Sequence, residues 1–209
     1  MESPYCYFRS SKISNIKVVY EDDNFIIFNK PNGLLTHPTN KSTELTLRDH
    51  LVKEHPSILS WGEENREGIV HRLDRVTSGL IVCALNLESY NLLKSKFKNR
   101  EIKKSYVALI EGALPSDSGI LNLPLARSLK NRSKRSVDTN GRNSITKYEL
   151  LNFYEDLNIS KIELDLITGR NHQIRAHMEY MKTPILNDPL YSASKNHIIP
   201  ENSIALHSA

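Results

Sequence analysis

The chain has 209 residues, of which 39% are apolar and 25% are charged, with a net charge of +4. This composition supports one hydrophobic core and excludes a disordered or fibrous protein. Two distant cysteines, Cys6 and Cys83, exclude a disulfide framework and predict a reduced, cytoplasmic protein. No run approaches the roughly 18 apolar residues of a membrane span, so we expect no membrane association.

The N-terminal half begins with two short strands and continues with two helices. Lys17 to Tyr20 and Phe25 to Phe28 are strand-like segments separated by turn-forming residues. Thr46 is placed to cap a helix, with Asp49 as its capping-box partner. Leu87 to Lys98 carries apolar residues at helical spacing, which predicts the clearest amphipathic helix of the chain.

The second half combines strands with one further helix. Lys104 to Ile110 predicts a strand, and a second strand with alternating apolar and charged residues ends at Thr168. Arg170 to Met181 predicts a helix. Strands and helices intermingle without the regular alternation of a doubly wound fold. We therefore expect an α+β fold with a mixed, mostly antiparallel central sheet flanked by helices.

The segment HRLDRVTSGL, residues 71–80, places the carboxylate of Asp74 between two arginines and directly before an apolar run. The pattern predicts a polar loop between two buried segments, a place where a catalytic group is easily held. An aspartate beside threonine, serine and glycine is also typical of an ordinary turn. From residue type alone, the ordinary turn is the stronger interpretation.

Basic residues are concentrated between Arg127 and Arg142. Six lysine and arginine side chains in this segment face one acid, Asp138. Such a segment can neutralise several phosphates of a nucleic acid, which would make binding weaken with salt. It can equally be a solvated hairpin tip, and charge alone leaves both interpretations open.

The segment at residues 71–80 resembles the HRLDxxTSGLL signature of the RluA family of RNA pseudouridine synthases. Three more blocks resemble the same family in the same order: VVYEDDNFIIFNKPNGLLTHP at 18–38, KSYVALIEG at 104–112 and TGRNHQIRAHM at 168–178. Pro184, Ile185, Asp188 and Tyr191 fit the block that follows. Departures include Asn171 in place of threonine, Ser144 in place of alanine, and Lys182 and Asn187 in place of glycines.

The resemblance implies the pseudouridine synthase fold and the isomerisation of uridine to pseudouridine in tRNA or ribosomal RNA, with no metal and no cofactor. It assigns Asp74 as the nucleophile and Arg175 as the guanidinium that keeps this carboxylate ionised. It assigns Tyr106 to stacking on the uracil, whereas outside the family block a core tyrosine of a strand would be expected. In this reaction a C1'–N1 bond breaks and a C1'–C5 bond forms, and no atom leaves, so carboxylate chemistry suffices.

Several arginines and one histidine are candidates for contact with RNA. Arg72 either pairs with an acid or fills the space that an extruded base vacates. Arg170 and His172 either meet phosphates near the start of a helix or brace Arg175. The expected RNA-contacting residues are Arg72, Arg127, Arg132, Lys134, Arg135, Arg170 and His172.

A metal-dependent hydrolase and a noncatalytic RNA-binding protein are the two alternative functions. A metal-dependent hydrolase would use His71, Asp74, His172, His177 and Asp188, but the five-residue spacing of His172 and His177 does not suit one helix face. A noncatalytic RNA-binding protein would be favoured if Asp74 or Arg175 were replaced, and both are present. His71 and His177 are better explained as structural histidines than as catalysts.

The domain organisation follows from the position of the blocks. We expect residues 1–16 to form an N-terminal extension and residues 17–209 to form the catalytic domain of a monomer. The extension is too short for the S4-type RNA-binding domain of many relatives. The end of the chain, LHSA, resembles an element that opens a further strand in the family, so we expect either a truncated C-terminal end or a chain that lacks the last elements of the family.

Overall fold

The computed structural model describes residues 16–39, 43–191, 193, 198–200 and 203–209. The chain forms two compact units, Met1–Glu101 and Ile102–Ala209. The predicted extension, residues 1–16, lies outside the described residues apart from Ile16. The interpretation of residues 17–209 as one catalytic domain stays a prediction.

Among its described residues, the first unit contains three antiparallel strands in the order β1-β2-β3, with two helices. Alternate residues of β2 are buried, as the two-residue period of a strand requires, and the strand predicted at Phe25 to Phe28 extends to Lys30. Both helices begin at a capping box, and the one formed by Thr46 and Asp49 was predicted from the sequence. The elements are β1 (Lys17–Glu21), β2 (Phe25–Lys30), α1 (Leu47–Glu54), a 3-10 turn (Pro56–Ser60), β3 (Ser78–Ala84) and α2 (Leu87–Asn99).

Gly68 joins the loop before β3 to the body of the first unit. Its φ is +72°, and a Cβ atom there would lie 2.7 Å from the carbonyl oxygen of Ala84 and 2.8 Å from a methyl carbon of Leu51. The Gly68 carbonyl accepts a hydrogen bond from the Ala84 N–H at 2.9 Å. Only glycine combines this backbone conformation with so close an approach.

The described part of the second unit contains five antiparallel strands in the order β10-β4-β9-β8-β5, a separate hairpin of β6 and β7, and one helix. Its elements are β4 (Ser105–Glu111), β5 (Ser118–Asn122), β6 (Leu125–Arg127), β7 (Arg135–Val137), β8 (Ile145–Tyr154), a 3-10 turn (Glu155–Leu157), β9 (Ile159–Leu166), α3 (Gln173–Tyr180) and β10 (Leu206–Ser208). The α+β class with mostly antiparallel pairing is confirmed.

The third helix is shorter than predicted. It was expected from Arg170, but it begins at Gln173, because His172 has a left-handed backbone with φ +55°. Lys182 and Asn187, which stand where the family has glycines, also have positive φ values of +64° and +58°. These two positions therefore keep the backbone conformation that glycine favours.

Within the described ranges, no helix has both the length and the apolar character that a bilayer crossing requires.

Candidate active site

Asp74 lies on a loop of the first unit that is held on both sides. The residue before it, Leu73, is buried, and the Thr36 hydroxyl donates to its carbonyl oxygen at 2.9 Å and accepts from its N–H at 3.3 Å. After it, the Thr77 N–H donates to the Asp74 carbonyl oxygen at 3.1 Å, immediately before β3. The Asp74 side chain is half-buried. The backbone thus makes a turn, and the carboxylate is held on a constrained loop.

A buried lysine lies beside Asp74. Lys30, at the end of β2, has no exposed surface, and its Nζ donates to the carbonyl oxygens of Leu34 at 2.9 Å, Pro31 at 3.0 Å and Arg75 at 3.4 Å. Burial lowers the pKa of the Lys30 amine from 10.5 to about 8, and the negative charge of Asp74 opposes this shift. By donating to the Arg75 carbonyl oxygen, the lysine fixes the loop directly after Asp74. Its positive charge also interacts with the Asp74 carboxylate.

Lys30 was not singled out from the sequence. The signal was present, because β2 buries every second residue and Lys30 falls on the same inward face as Ile26 and Phe28. A lysine at an inward position of an apolar strand is rare unless it has partners.

Arg175, on α3 of the second unit, forms a buried bidentate ion pair with Asp188. Its Nε donates to Oδ2 of Asp188 at 2.6 Å, and its Nη2 donates to Oδ1 at 2.9 Å. The two residues are 4% and 0% exposed. Oδ1 also accepts the backbone N–H groups of Leu190 and Tyr191. Asp188 was assigned no role from the sequence in the isomerase interpretation, and the pairing of Arg175 with Asp74 stays a prediction.

The segment before α3 is organised by the buried amide of Gln173. Its Oε1 accepts hydrogen bonds from the Thr168 hydroxyl at 2.8 Å and from the Arg170 N–H at 2.9 Å, while its Nε2 donates to the Ile145 carbonyl oxygen at 3.0 Å. The Arg170 Nε donates to the carbonyl oxygen of Asn143 at 3.1 Å. These bonds fix the start of the helix that carries Arg175.

Tyr191 connects Arg175 to the basic hairpin, which consists of β6, β7 and the loop between them, residues 125–137. Its hydroxyl oxygen accepts the Arg135 N–H at 2.8 Å and lies 3.0 Å from Nδ1 of His172. The Arg175 guanidinium lies 4.9 Å from the centre of its ring, and the Lys134 ammonium lies 5.0 Å from it. His172 and Arg135 thus contact a residue that braces Arg175, which is one of the alternatives that the sequence left open for His172.

Tyr106 occupies an inward position of β4. It is 7% exposed and is paired in register with Leu164 of β9 and Ser208 of β10. Its backbone is paired on both sides and its side chain is buried, so the ring has little freedom to move, as a stacking platform requires. The same burial also suits a core tyrosine.

The expected RNA-contacting residues differ in exposure. Arg72, Arg127 and Arg132 are exposed, and the Arg72 guanidinium has no hydrogen bond or ion pair with a residue that the structure describes. The acid partner that the sequence allowed for Arg72 is therefore not found there. Lys134 is half-buried and forms an ion pair with Glu179 at 2.8 Å. Its charge is partly engaged within the fold.

His71 and His177, two of the ligands of the metal-site alternative, are held by hydrogen bonds within the fold. His177 is fully buried between the Thr146 hydroxyl, at 2.9 Å from Nδ1, and the Leu123 carbonyl oxygen, at 3.0 Å from Nε2, and burial lowers its pKa. Nε2 of His71 accepts the Val82 N–H at 3.0 Å. In the described part of the chain, no three His, Cys, Asp or Glu side chains are grouped so as to hold a metal ion.

Comparison with known proteins places these residues in one family. The sequence model described as RNA pseudouridylate synthase matches residues 24–180. An RNA pseudouridine synthase of Bacillus subtilis (strain 168) is 33% identical over 194 residues, which are 93% of this chain and 63% of the relative. A ribosomal large subunit pseudouridine synthase D of Borreliella burgdorferi is 39% identical over 180 residues, 84% of this chain and 54% of the relative. The chain thus spans less than two thirds of the length of these relatives.

Two human structures have a similar fold. Human RNA pseudouridylate synthase domain containing 1 superposes with a TM-score of 0.73 at 25% identity, covering 94% of this chain and 77% of that one. Human RNA pseudouridylate synthase domain containing 4 superposes with a TM-score of 0.71 at 24% identity, covering 91% of this chain and 81% of that one.

Proposed function

This chain belongs to the RNA pseudouridylate synthase family, and from that premise we propose that it isomerises specific uridines of RNA to pseudouridine with Asp74 as the nucleophile. The observation that carries the proposal is the position of Asp74, on a loop held at Leu73 and Arg75 and beside the buried ammonium of Lys30. The ordinary turn interpretation does not require a buried cation next to the carboxylate.

The chemistry suits a carboxylate in this setting. The C1'–N1 bond of uridine breaks, the uracil turns while it is held, and C1' bonds to C5, whose proton is lost to solvent while N1 gains one. The carboxylate assists by adding to the sugar or the base, or by assisting an elimination, and it leaves at the end, so the protein is regenerated. Asp74 must stay ionised away from water for this, and a nearby cation offsets the loss of hydration.

Arg175 and Tyr106 complete the proposed set of catalytic residues. Arg175 is the guanidinium proposed to orient Asp74, and its bidentate bond to Asp188 supports this role because it leaves the arginine little freedom. Tyr106 is proposed to stack on the uracil, and its rigid position on β4 supports that role.

The proposed substrate is ribosomal RNA or tRNA. Several relatives are described as ribosomal large subunit pseudouridine synthase D, which supports ribosomal RNA first. The proposed RNA contacts are Arg72, Arg127, Arg132, Lys134, Arg135, Arg170 and His172, of which the exposed arginines have most freedom to reach phosphates. The proposal includes a cytoplasmic monomer that uses neither metal nor cofactor.

Mapping of pseudouridine in defined transcripts tests the proposal. Unmodified transcripts of large-subunit ribosomal RNA and of tRNA are incubated with the protein in excess chelator, and carbodiimide adducts of pseudouridine are located by reverse transcription. We expect new pseudouridines with the parent protein and with the control Asp156→Asn, which removes an exposed carboxylate. We expect none with Asp74→Asn, whose RNA affinity stays within about tenfold because the shape is kept.

Each alternative predicts a different result. Loss of activity in chelator would point to a metal enzyme, and RNA binding without any pseudouridine would point to a noncatalytic RNA-binding protein. Turnover of Asp74→Asn near the parent rate would refute the role of Asp74.

A further inference from the structure

The loop that follows β2 carries a buried histidine with an unsatisfied nitrogen. His37 is 7% exposed, and its Nδ1 is buried with no hydrogen-bond partner among the described residues. Burial of a polar nitrogen without a partner lowers stability, so a histidine here is not explained by folding alone. Burial, together with the positive charges of Arg72 and Arg66, lowers the pKa of His37 to about 4. The ring is therefore neutral at pH 7 and carries one N–H.

Hydrogen bonds made by neighbouring residues place the segments that carry these arginines near the His37 segment. The Thr36 hydroxyl is bonded to both backbone groups of Leu73, so the segment that carries Arg72 runs beside His37. On the other side, the Thr36 carbonyl oxygen accepts the Arg48 N–H at 3.0 Å. The Arg48 Nε donates to Glu67, the neighbour of Arg66, at 2.6 Å.

The two arginines differ from their neighbours in having no acidic partner. Arg48 is paired with Glu67, and Arg75 is paired with Glu44 at 2.8 Å. The guanidinium groups of Arg66 and Arg72 are exposed and make no hydrogen bond or ion pair with any residue in the described ranges. Among the described residues, Arg66 and Arg72 are thus two cations without an acidic partner, near the neutral imidazole of His37. Arg72 also lies two residues before Asp74 in the sequence.

We propose that His37, Arg66 and Arg72 form a binding site for a phosphodiester of the substrate RNA next to the uridine that Asp74 acts on. The guanidinium groups supply charge and forked donors, and the imidazole supplies a single N–H from Nε2. The site rests on the proposed function for the identity of its ligand. It adds His37 and Arg66 to the RNA contacts and gives Arg72 a partner.

The salt dependence of RNA binding tests the arginines. The probe is the unmodified large-subunit ribosomal RNA transcript, and the dissociation constant is measured from about 50 to 200 mM salt for Arg66→Gln, Arg72→Gln and the double variant. Each single change is expected to lower the slope of log Kd against log salt by about 0.7 to 0.9, and the double change by about twice that. The control is Lys53→Gln, because Lys53 is an exposed lysine of the same unit whose side chain is 77% exposed. Slopes for the arginine variants equal to that of Lys53→Gln would overturn the proposal.

The role of the His37 N–H is tested with two variants, one that keeps a hydrogen-bond donor and one that lacks it. The amide of His37→Gln reaches the position of Nε2, whereas His37→Leu has no donor. We expect His37→Gln to bind RNA within about threefold of the parent and His37→Leu to bind about tenfold more weakly, the loss of one hydrogen bond to a charged group. The thermal midpoint of His37→Leu should equal or exceed that of the parent, because a buried unsatisfied nitrogen is removed. A lower midpoint with unchanged RNA affinity would show a structural histidine and overturn the assignment.

A neutral linkage locates the phosphate. Once the modified uridine is known, a methylphosphonate replaces the phosphodiester on either side of it. At one of the two positions, the parent should lose affinity while Arg66→Gln loses little more, since both changes remove the same contact. Additive losses at both positions would overturn the proposal. If the parent modifies no RNA, the proposed function fails, whereas the slopes still report on this site.

Discussion

Replacement of the buried Lys30 by methionine should change the pH dependence of stability in a defined window. The pKa of this amine is 10.5 in an unfolded chain and about 8 in the fold. Between these values the unfolded chain binds more protons at this position, so the free energy of unfolding rises with pH. Below about pH 8 both states are protonated, and the fold bears the full cost of the buried charge, which is about 3 kcal/mol for a shift of this size.

The measurement compares parent and Lys30→Met by urea denaturation at a series of pH values. The free energy of unfolding of the parent, minus that of the variant, should grow by about 3 kcal/mol from about pH 7.5 to about pH 10.5, because contributions of all other groups cancel. Lys53→Met, in which an exposed lysine is removed, controls for the loss of a surface charge. A difference that stays constant over this window would refute the burial argument.

The same titration should appear in catalysis. Neutral Lys30 no longer offsets the lost hydration of Asp74, so isomerisation should decline as pH rises through about 8. Lys30→Met should be slower than the parent at pH 7 and should lack this decline. If the isomerisation rate of the parent stays constant up to about pH 9.5, the charge of Lys30 does not contribute to catalysis.

The remaining predictions concern the second unit. Tyr106→Phe should stay within about tenfold of the parent in single-turnover rate, whereas Tyr106→Ala should lose the stacking energy of about 1 to 3 kcal/mol; equal losses would contradict the stacking role. Asp188→Asn removes the buried carboxylate charge that pairs with Arg175 at 2.6 Å and should lower the free energy of unfolding by about 3 to 5 kcal/mol in urea denaturation, and a change below about 0.5 kcal/mol would refute this. Arg132→Gln should flatten the salt dependence of RNA binding by about 0.7 to 0.9, and Lys134→Gln by less, because Lys134 is already paired with Glu179; the reverse order would place the RNA elsewhere.

Tyr191 links the basic hairpin to Arg175 within the second unit. Tyr191 contacts Arg135 and Lys134 on the hairpin and stacks against Arg175. A substitution in the hairpin is therefore expected to reach Arg175 through the ring and the hydroxyl group of Tyr191. In this arrangement, substitutions of Lys134 are expected to affect both RNA affinity and the position of Arg175.

Local patterns in the sequence were sufficient for most elements and for the Asp74 loop. The alternation of apolar and charged residues in β9 and the capping box of Thr46 and Asp49 depend on residues within a few positions of each other, so they can be recognised without a fold. The boundary of α3 was missed by three residues because His172 has a left-handed backbone and the Gln173 side chain bonds back to the Arg170 N–H, and helical spacing reveals neither feature.

The partners of the charged groups were decided by the tertiary structure. Lys30 meets the carbonyl oxygen of Arg75, and Lys134 meets Glu179, in each case 45 residues away along the chain. Asp188 was visible as part of a block, but its ion pair with Arg175 arises only when α3 and the following turn pack together. A charge in the sequence has many possible partners, and burial selects among them because an unpaired charge is too costly to leave inside the fold.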